Sequence, residues 1–228
     1  MCSLADQRSA TAKPSFGLLS PRGQALPQPS AQVIYNPLTL VPGKQSSGTS
    51  KKFLAIGRFS RLHKGFDLLI EAFQRFACHN SEWTLDIVGE GIEEPLYRKL
   101  IRDYGLQERI TIHPFTSDIQ SYYSDAQVYV LSSRWEGFGL VLVEAMAHGL
   151  PVISSDLPTS VEIMGDFGLY YVNGDVNGLA RQMLDATTMD WQEKSAEALQ
   201  IASRFNIDTI ISQWKNIIDN KTENSHEG

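Results

Sequence analysis

The feature that most limits this chain is the regular exchange of short apolar runs with longer amphipathic stretches from Lys51 onward. Phe53-Leu54-Ala55-Ile56 reads as a buried strand. The stretch Phe66–Ala77 then places Phe66, Leu69, Ile70, Phe73, Phe76 and Ala77 on one face at helical spacing. The exchange continues as strand Trp83–Val88, helix Glu93–Tyr104, strand Ile110–Ile112, short helix Ser117–Ser124, strand Val128–Leu131 and helix Phe138–His148. Strand Pro151–Ser154, a helical turn Val161–Met164 and strand Leu169–Val172 follow, and three helical patterns finish the chain up to Asp219. Strand–helix units repeated in this way need parallel pairing through right-handed crossovers. The expected fold class is α/β: a doubly wound parallel sheet with additional C-terminal helices.

Ahead of that pattern the text changes character. Residues 1–31 are rich in Ser, Pro, Gln and Ala and are expected to be a disordered tail. Residues 32–50 read as a hinge and linker: Val33-Ile34-Tyr35 is stopped by Asn36-Pro37, and Pro42 to Ser50 is polar. The compact domain is expected at 51–220, with a second disordered tail at 221–228. With 42% hydrophobic residues in 228, a core can be buried without staples. The net charge of −6 speaks against a nucleic-acid partner, whose binders carry a basic stripe. Two cysteines, Cys2 and Cys78, make no disulfide framework and suggest a reducing compartment. No secretory signal is visible at the amino terminus. The longest apolar stretch, Leu140–Ala147, carries Glu144 and falls short of the about 20 residues a transmembrane helix needs.

In a doubly wound sheet, ligands bind beyond the carboxyl ends of the strands. Four segments then surround one crevice: Gly57–Lys64, Gly89–Gly91, His113–Thr116 and Ser132–Leu140. In the last of these, Gly137 and Gly139 flank Phe138, where absent side chains would let a ligand approach the backbone. The following helix offers unpaired N–H groups and the positive end of its dipole, a cradle for a diphosphate. The same segment fits a plain strand-to-helix turn equally well.

Glu144 stands in a helix that is apolar on every side, so its carboxylate needs a partner. It lies about 9 Å of helix beyond Phe138, at 1.5 Å per residue, which suits a nucleotide with its phosphates at the helix start and its ribose at Glu144. A buried ion pair with a basic residue is the alternative. Arg58 and Lys64 follow the first strand, where phosphates would lie, although each by itself also fits a solvated surface charge. No Asp-x-Asp pair, zinc-type His/Cys cluster, Walker loop or nucleophile elbow occurs.

Taken together, these residues resemble the carboxyl-terminal, donor-binding domain of family-4 retaining glycosyltransferases of GT-B architecture. The matching text includes Gly57-Arg58-Phe59 with Lys64-Gly65, Ile87-Val88-Gly89-Glu90-Gly91 and Ser124 through Ser133. It continues through Glu136 and Glu144 with seven residues between them, and Ala145 through Val152. Val33-Ile34-Tyr35-Asn36-Pro37 is similar to the family's interdomain hinge. The resemblance implies that Arg58 and Lys64 bind and stabilise the departing diphosphate. It implies that Glu136 touches the transferred sugar, and that backbone N–H groups around Gly137, Phe138, Gly139 and Leu140 hold sugar and phosphate oxygens. Glu144 would bind the ribose, and Gly89 and His113 would lie beside the base. A lone histidine next to Pro114 also suits a structural role.

The implied chemistry is transfer of a hexose-type sugar from a nucleoside-diphosphate sugar, with retention and without a metal or other cofactor, UDP-sugars being favoured over GDP-sugars. The implied acceptor is a glycan or lipid-linked saccharide, and the implied location is cytoplasmic, at the inner face of the membrane. Here the chain departs from the family pattern: residues 1–31 stand where an acceptor-binding amino-terminal domain would be. The resemblance leaves three readings of this departure: a truncated fragment, half of a split enzyme with a separate amino-terminal half as its partner, or a degenerate product. A nucleotide-sugar-binding module without transfer activity of its own, and a sugar-nucleotide epimerase of the same architecture, are the competing expectations.

Overall fold

A computed structural model describes residues 33–40 and 42–223. Residues 1–31 and 224–228, which include most of the two expected tails, lie outside the described residues. Six strands form one parallel sheet: β1 (Lys52–Ile56), β2 (Thr84–Val88), β3 (Ile110–His113), β4 (Val128–Leu131), β5 (Val152–Ser155) and β6 (Leu169–Tyr171). Their order is β3-β2-β1-β4-β5-β6. Helices alternate with them: α1 (Arg61–Lys64), α2 (Phe66–Ala77), α3 (Glu94–Asp103), α4 (Ile119–Asp125), α5 (Leu140–Ala147) and α6 (Pro158–Met164). Three more, α7 (Val176–Ala186), α8 (Trp191–Ser203) and α9 (Ile207–Glu223), complete the chain. The fold is the doubly wound, Rossmann-like α/β sheet that the alternation demands.

Successive side chains of a strand point to opposite faces, so β1 feeds two cores. Phe53 and Ala55 join Leu85, Ile87 and the apolar faces of α2, α3 and α7. Leu54 joins Val88, Tyr129, Leu131 and Val152 beneath α4, α5, α6 and α8. Strands covered on both faces need continuous apolar runs, and the fully buried β4, Val-Tyr-Val-Leu, is such a run. The strand order reverses between β1 and β4, which leaves a crevice at their carboxyl ends.

Several boundaries differ from those expected. The helix expected from Phe138 begins at Leu140, because Gly139 has φ 83°, a left-handed conformation outside the α-helix. The span from that helix's first residue to Glu144 is therefore about 6 Å rather than 9 Å. The turn expected at 161–164 starts at Pro158, whose missing N–H and fixed φ suit a first helical turn. The four-residue helix α1 is too short to show a period, so the sequence pattern there predicts only a loop. The linker expected at 32–50 is fastened down from Tyr35 onward, so the compact unit starts there and not at Lys51. Leu38 N–H bonds the Phe205 carbonyl at 2.7 Å, and Ser46 N–H bonds the His148 carbonyl at 3.0 Å. Helix α9 runs to Glu223, into the expected tail at 221–228.

Candidate functional site

Two loops meet over the crevice. The first leaves β1 at Gly57 and ends in α1, which carries Lys64. The second leaves β4 at Ser132 and ends at Gly139. They touch at Gly65, where φ is 62° and an added Cβ would lie 2.3 Å from the Ser132 carbonyl oxygen. Only glycine meets both demands.

The two loops are tied by polar bonds. Ser132 Oγ donates to the Lys64 carbonyl at 2.8 Å, and Arg134 N–H donates to the His63 carbonyl at 2.7 Å. The Arg134 guanidinium donates to the Arg61 carbonyl and grips both oxygens of Asp67 at 2.9 Å. Those Asp67 bonds hold Arg134 above its ordinary pKa range. A two-pronged arginine–carboxylate pair fixes geometry as well as charge.

This clamp brings together the cation and the carboxylate expected to do chemistry. Lys64 Nζ lies 2.6 Å from Glu136 Oε1, and Ser133 Oγ donates to the same oxygen at 2.6 Å. The Lys64 stem lies across Gly57, where an added Cβ would come within 3.0 Å of it. Arg58 is exposed. With Ser60, His63, Lys64, Trp135 and Glu136 it lines a cavity of about 430 Å³. Three of those six, Arg58, Lys64 and Glu136, were singled out from the sequence. A smaller hollow of about 260 Å³ is lined by Leu38, Leu40, Pro42, Ala147 and Leu199 among others. It presents no charged side chain and so lacks what a diphosphate requires.

The other expected residues sit differently. Glu144 is half-buried on α5, with no ion pair among the described residues, and its Oε2 accepts from the Tyr123 hydroxyl at 2.8 Å. Burial holds Tyr123 well above the usual tyrosine range, so it is the donor. Phe138 packs its ring against Tyr35 and Phe205, each 6.0 Å away, and so contributes packing with its side chain. An added Cβ at Gly137 would meet nothing within 4 Å, so the backbone there is open. Gly89 is needed for a close approach: a Cβ would fall 1.9 Å from the Gly57 carbonyl oxygen. Its N–H is already spent on the His113 carbonyl at 3.0 Å.

His113 turns its Nε2 to Asp86 Oδ1 at 3.2 Å and meets Tyr122 edge-on. Asp86 is buried and also lies 3.1 Å from Lys52, which bonds Asp125. The ring faces the Asp86 carboxylate, but its buried Nε2 makes no hydrogen bond among the described residues. Among the described residues, no group of three or more His, Cys, Asp or Glu could hold a metal ion. None of their helices is long and apolar enough to cross a membrane.

Sequence reasoning missed Ser133, Arg134, Tyr123, His63 and Trp135. Ser133 stands three residues before Glu136 and could have been suspected. Arg134 and Tyr123 find Asp67 and Glu144 from other βα units, and no local spacing signals that.

Comparison with known proteins shows the family and the fold. Residues 40–204 match the family described as glycosyl transferases group 1. A glycosyltransferase of Haemophilus influenzae is 29% identical over 191 residues, 81% of this chain and 54% of its own length. The amylovoran biosynthesis glycosyltransferase AmsD of Erwinia amylovora is 30% identical over 172 residues, 74% of this chain and 48% of its own. The crystal structure of Anabaena HepE in complex with UDP superposes with a TM-score of 0.68 at 25% identity. That likeness covers 75% of this chain and 49% of HepE. The chain spans about half the length of these relatives. It belongs to the group 1 glycosyl transferases, on a fold shared with GT-B glycosyltransferases.

Proposed function

We propose that this chain is the donor-binding half of a family-4 retaining glycosyltransferase. It takes a hexose-type sugar from a nucleoside-diphosphate sugar and passes it, without a metal, to a glycan or lipid-linked saccharide. The observation that carries this reading is the convergence of Arg58, Lys64 and Glu136 on one cavity at the switch point of the sheet. The diphosphate is assigned to Arg58 and Lys64. An ammonium has three donors, so Lys64 can keep Glu136 while it receives a phosphate oxygen. The sugar–phosphate bond breaks toward an oxocarbenium-like state, and the charge that grows on the diphosphate is met by these two cations and the start of α5. Glu136 faces the transferred sugar as a site residue rather than as an assigned nucleophile. Glu144 takes the ribose hydroxyls. UDP is the favoured nucleotide, in keeping with HepE. Acceptor recognition is assigned to the remaining half of the relatives' length, supplied in the same protein or by a partner.

Titration calorimetry with UDP, GDP and ADP tests the donor site. Binding of at least one is expected, and no binding of any at millimolar concentration overturns the reading. Arg58→Ala should weaken the diphosphate far more than the free nucleoside. Equal losses for both would remove Arg58 from the phosphate site. Adding a separately produced amino-terminal half of a relative and assaying donor hydrolysis or transfer would separate a transferase from a module that only binds.

A further inference from the structure

The Glu144 carboxylate is answered by an assembly that the donor-site reading does not use. Its Oε2 accepts from the hydroxyl of Tyr123 on α4, and no donor among the described residues reaches Oε1. The Tyr123 ring is fully buried. His148 stacks on it at 4.9 Å and 19°, and Tyr129 flanks it at 6.1 Å. His148 is itself pinned twice: its Nδ1 lies 2.8 Å from the Glu144 carbonyl oxygen, and its own carbonyl accepts from Ser46 N–H. A carbonyl only accepts, so Nδ1 carries the proton. His148 Nε2 is buried without a partner among the described residues. An apolar ring would stack as well without leaving a polar atom unsatisfied, but it could not donate to the Glu144 carbonyl.

We propose that Tyr123 and His148 are positioning residues that hold the Glu144 carboxylate with Oε1 turned out to receive the vicinal hydroxyls of a nucleotide's ribose. This rests on the assignment of Glu144 to the ribose. Tyr123 occupies one oxygen and selects one side-chain orientation. His148 fixes the tyrosine ring and the turn of backbone that carries the acid. The carboxylate is then ordered before the ligand arrives, and the ordering cost is not charged to binding. Recognition of the sugar hydroxyls thus depends on a phenol that touches no ligand.

The test is Tyr123→Phe, which keeps the ring and its stacking and removes only the hydroxyl. The whole chain is titrated by calorimetry with UDP and with 2′-deoxy-UDP. GDP and ADP are run beside their 2′-deoxy forms. The unsubstituted chain should prefer the ribose form by about tenfold, the worth of one hydrogen bond to a charged group. Tyr123→Phe should lose most of that preference while its affinity for the 2′-deoxy form changes by less than about twofold, because the diphosphate contacts persist. A purely structural role would lower both affinities together and leave the ratio in place, which would overturn the proposal. If the unsubstituted chain binds diphosphates but does not distinguish ribose from 2′-deoxyribose, the assignment of Glu144 to ribose falls, and this proposal with it. If Tyr123→Phe does not fold, His148→Phe serves in its place, with a smaller fall in the same ratio expected and an unchanged ratio overturning the proposal.

Discussion

Glu136 and Glu144 stand on either side of one left-handed glycine, Gly139, and the protein answers them with different chemistry. Glu136 lies in a loop, and a lysine and a serine hydroxyl from the crevice walls meet it. Glu144 lies in a helix whose buried residues include Leu142, Val143, Ala145 and Met146, and a buried phenol meets it. The loop pair is ionic and built from side chains that also line the cavity. The helix pair is neutral on one side, and its phenol is built into the core. The contrast teaches that two acids close in sequence can be held by different means, one by a charged side chain and one by a buried phenol.

The contrast can be broken or sharpened by substitution. The largest effect should come from Tyr123→Ala, which removes a fully buried ring from the core under α5. Urea unfolding should show a loss of about 3–5 kcal/mol. A loss below about 1 kcal/mol would mean that the helix side is not part of the core. Next, Lys64→Ala should cost about 1.5–3 kcal/mol of UDP affinity with little change for uridine. Equal weakening of both ligands would take Lys64 out of the phosphate site. Glu144→Gln should cost a similar amount, about 1.5–3 kcal/mol, but for UDP and uridine alike. Unchanged affinity for both would leave Glu144 with a structural role only. The smallest effect is expected from Ser133→Ala, about 0.5–1.5 kcal/mol in UDP affinity, since Lys64 still holds Glu136. If Ser133→Ala matches Lys64→Ala in calorimetry, the loop pair is not primarily ionic.

Much of this was legible before any coordinates. Helix α2 shows its buried face through Phe66, Leu69, Ile70, Phe73 and Phe76, because a helix that covers a sheet must repeat apolar residues at its own period. Arg58, Lys64 and Glu136 could be placed at strand ends because a doubly wound sheet brings its carboxyl-end loops together. The start of α5 was misplaced by two residues, since no pattern of apolarity reports the sign of φ at Gly139. His113 and Gly89 are placed beside the base by the family resemblance, and a structural role also suits the histidine. In the structure the histidine ring is turned to Asp86, and the glycine N–H is taken by the His113 carbonyl.

The sequence by itself determined the class of sheet, the crevice loops and the presence of an acid in an apolar helix. Each of those follows from the period and polarity of neighbouring residues, which local steric and hydrophobic rules can read. Only the tertiary structure decided that Lys64 meets Glu136, that Arg134 clamps Asp67 and that Tyr123 holds Glu144. These partners come from separate βα units. Their meeting depends on strand order and crossover geometry summed over the whole sheet, a property that no single stretch of residues carries.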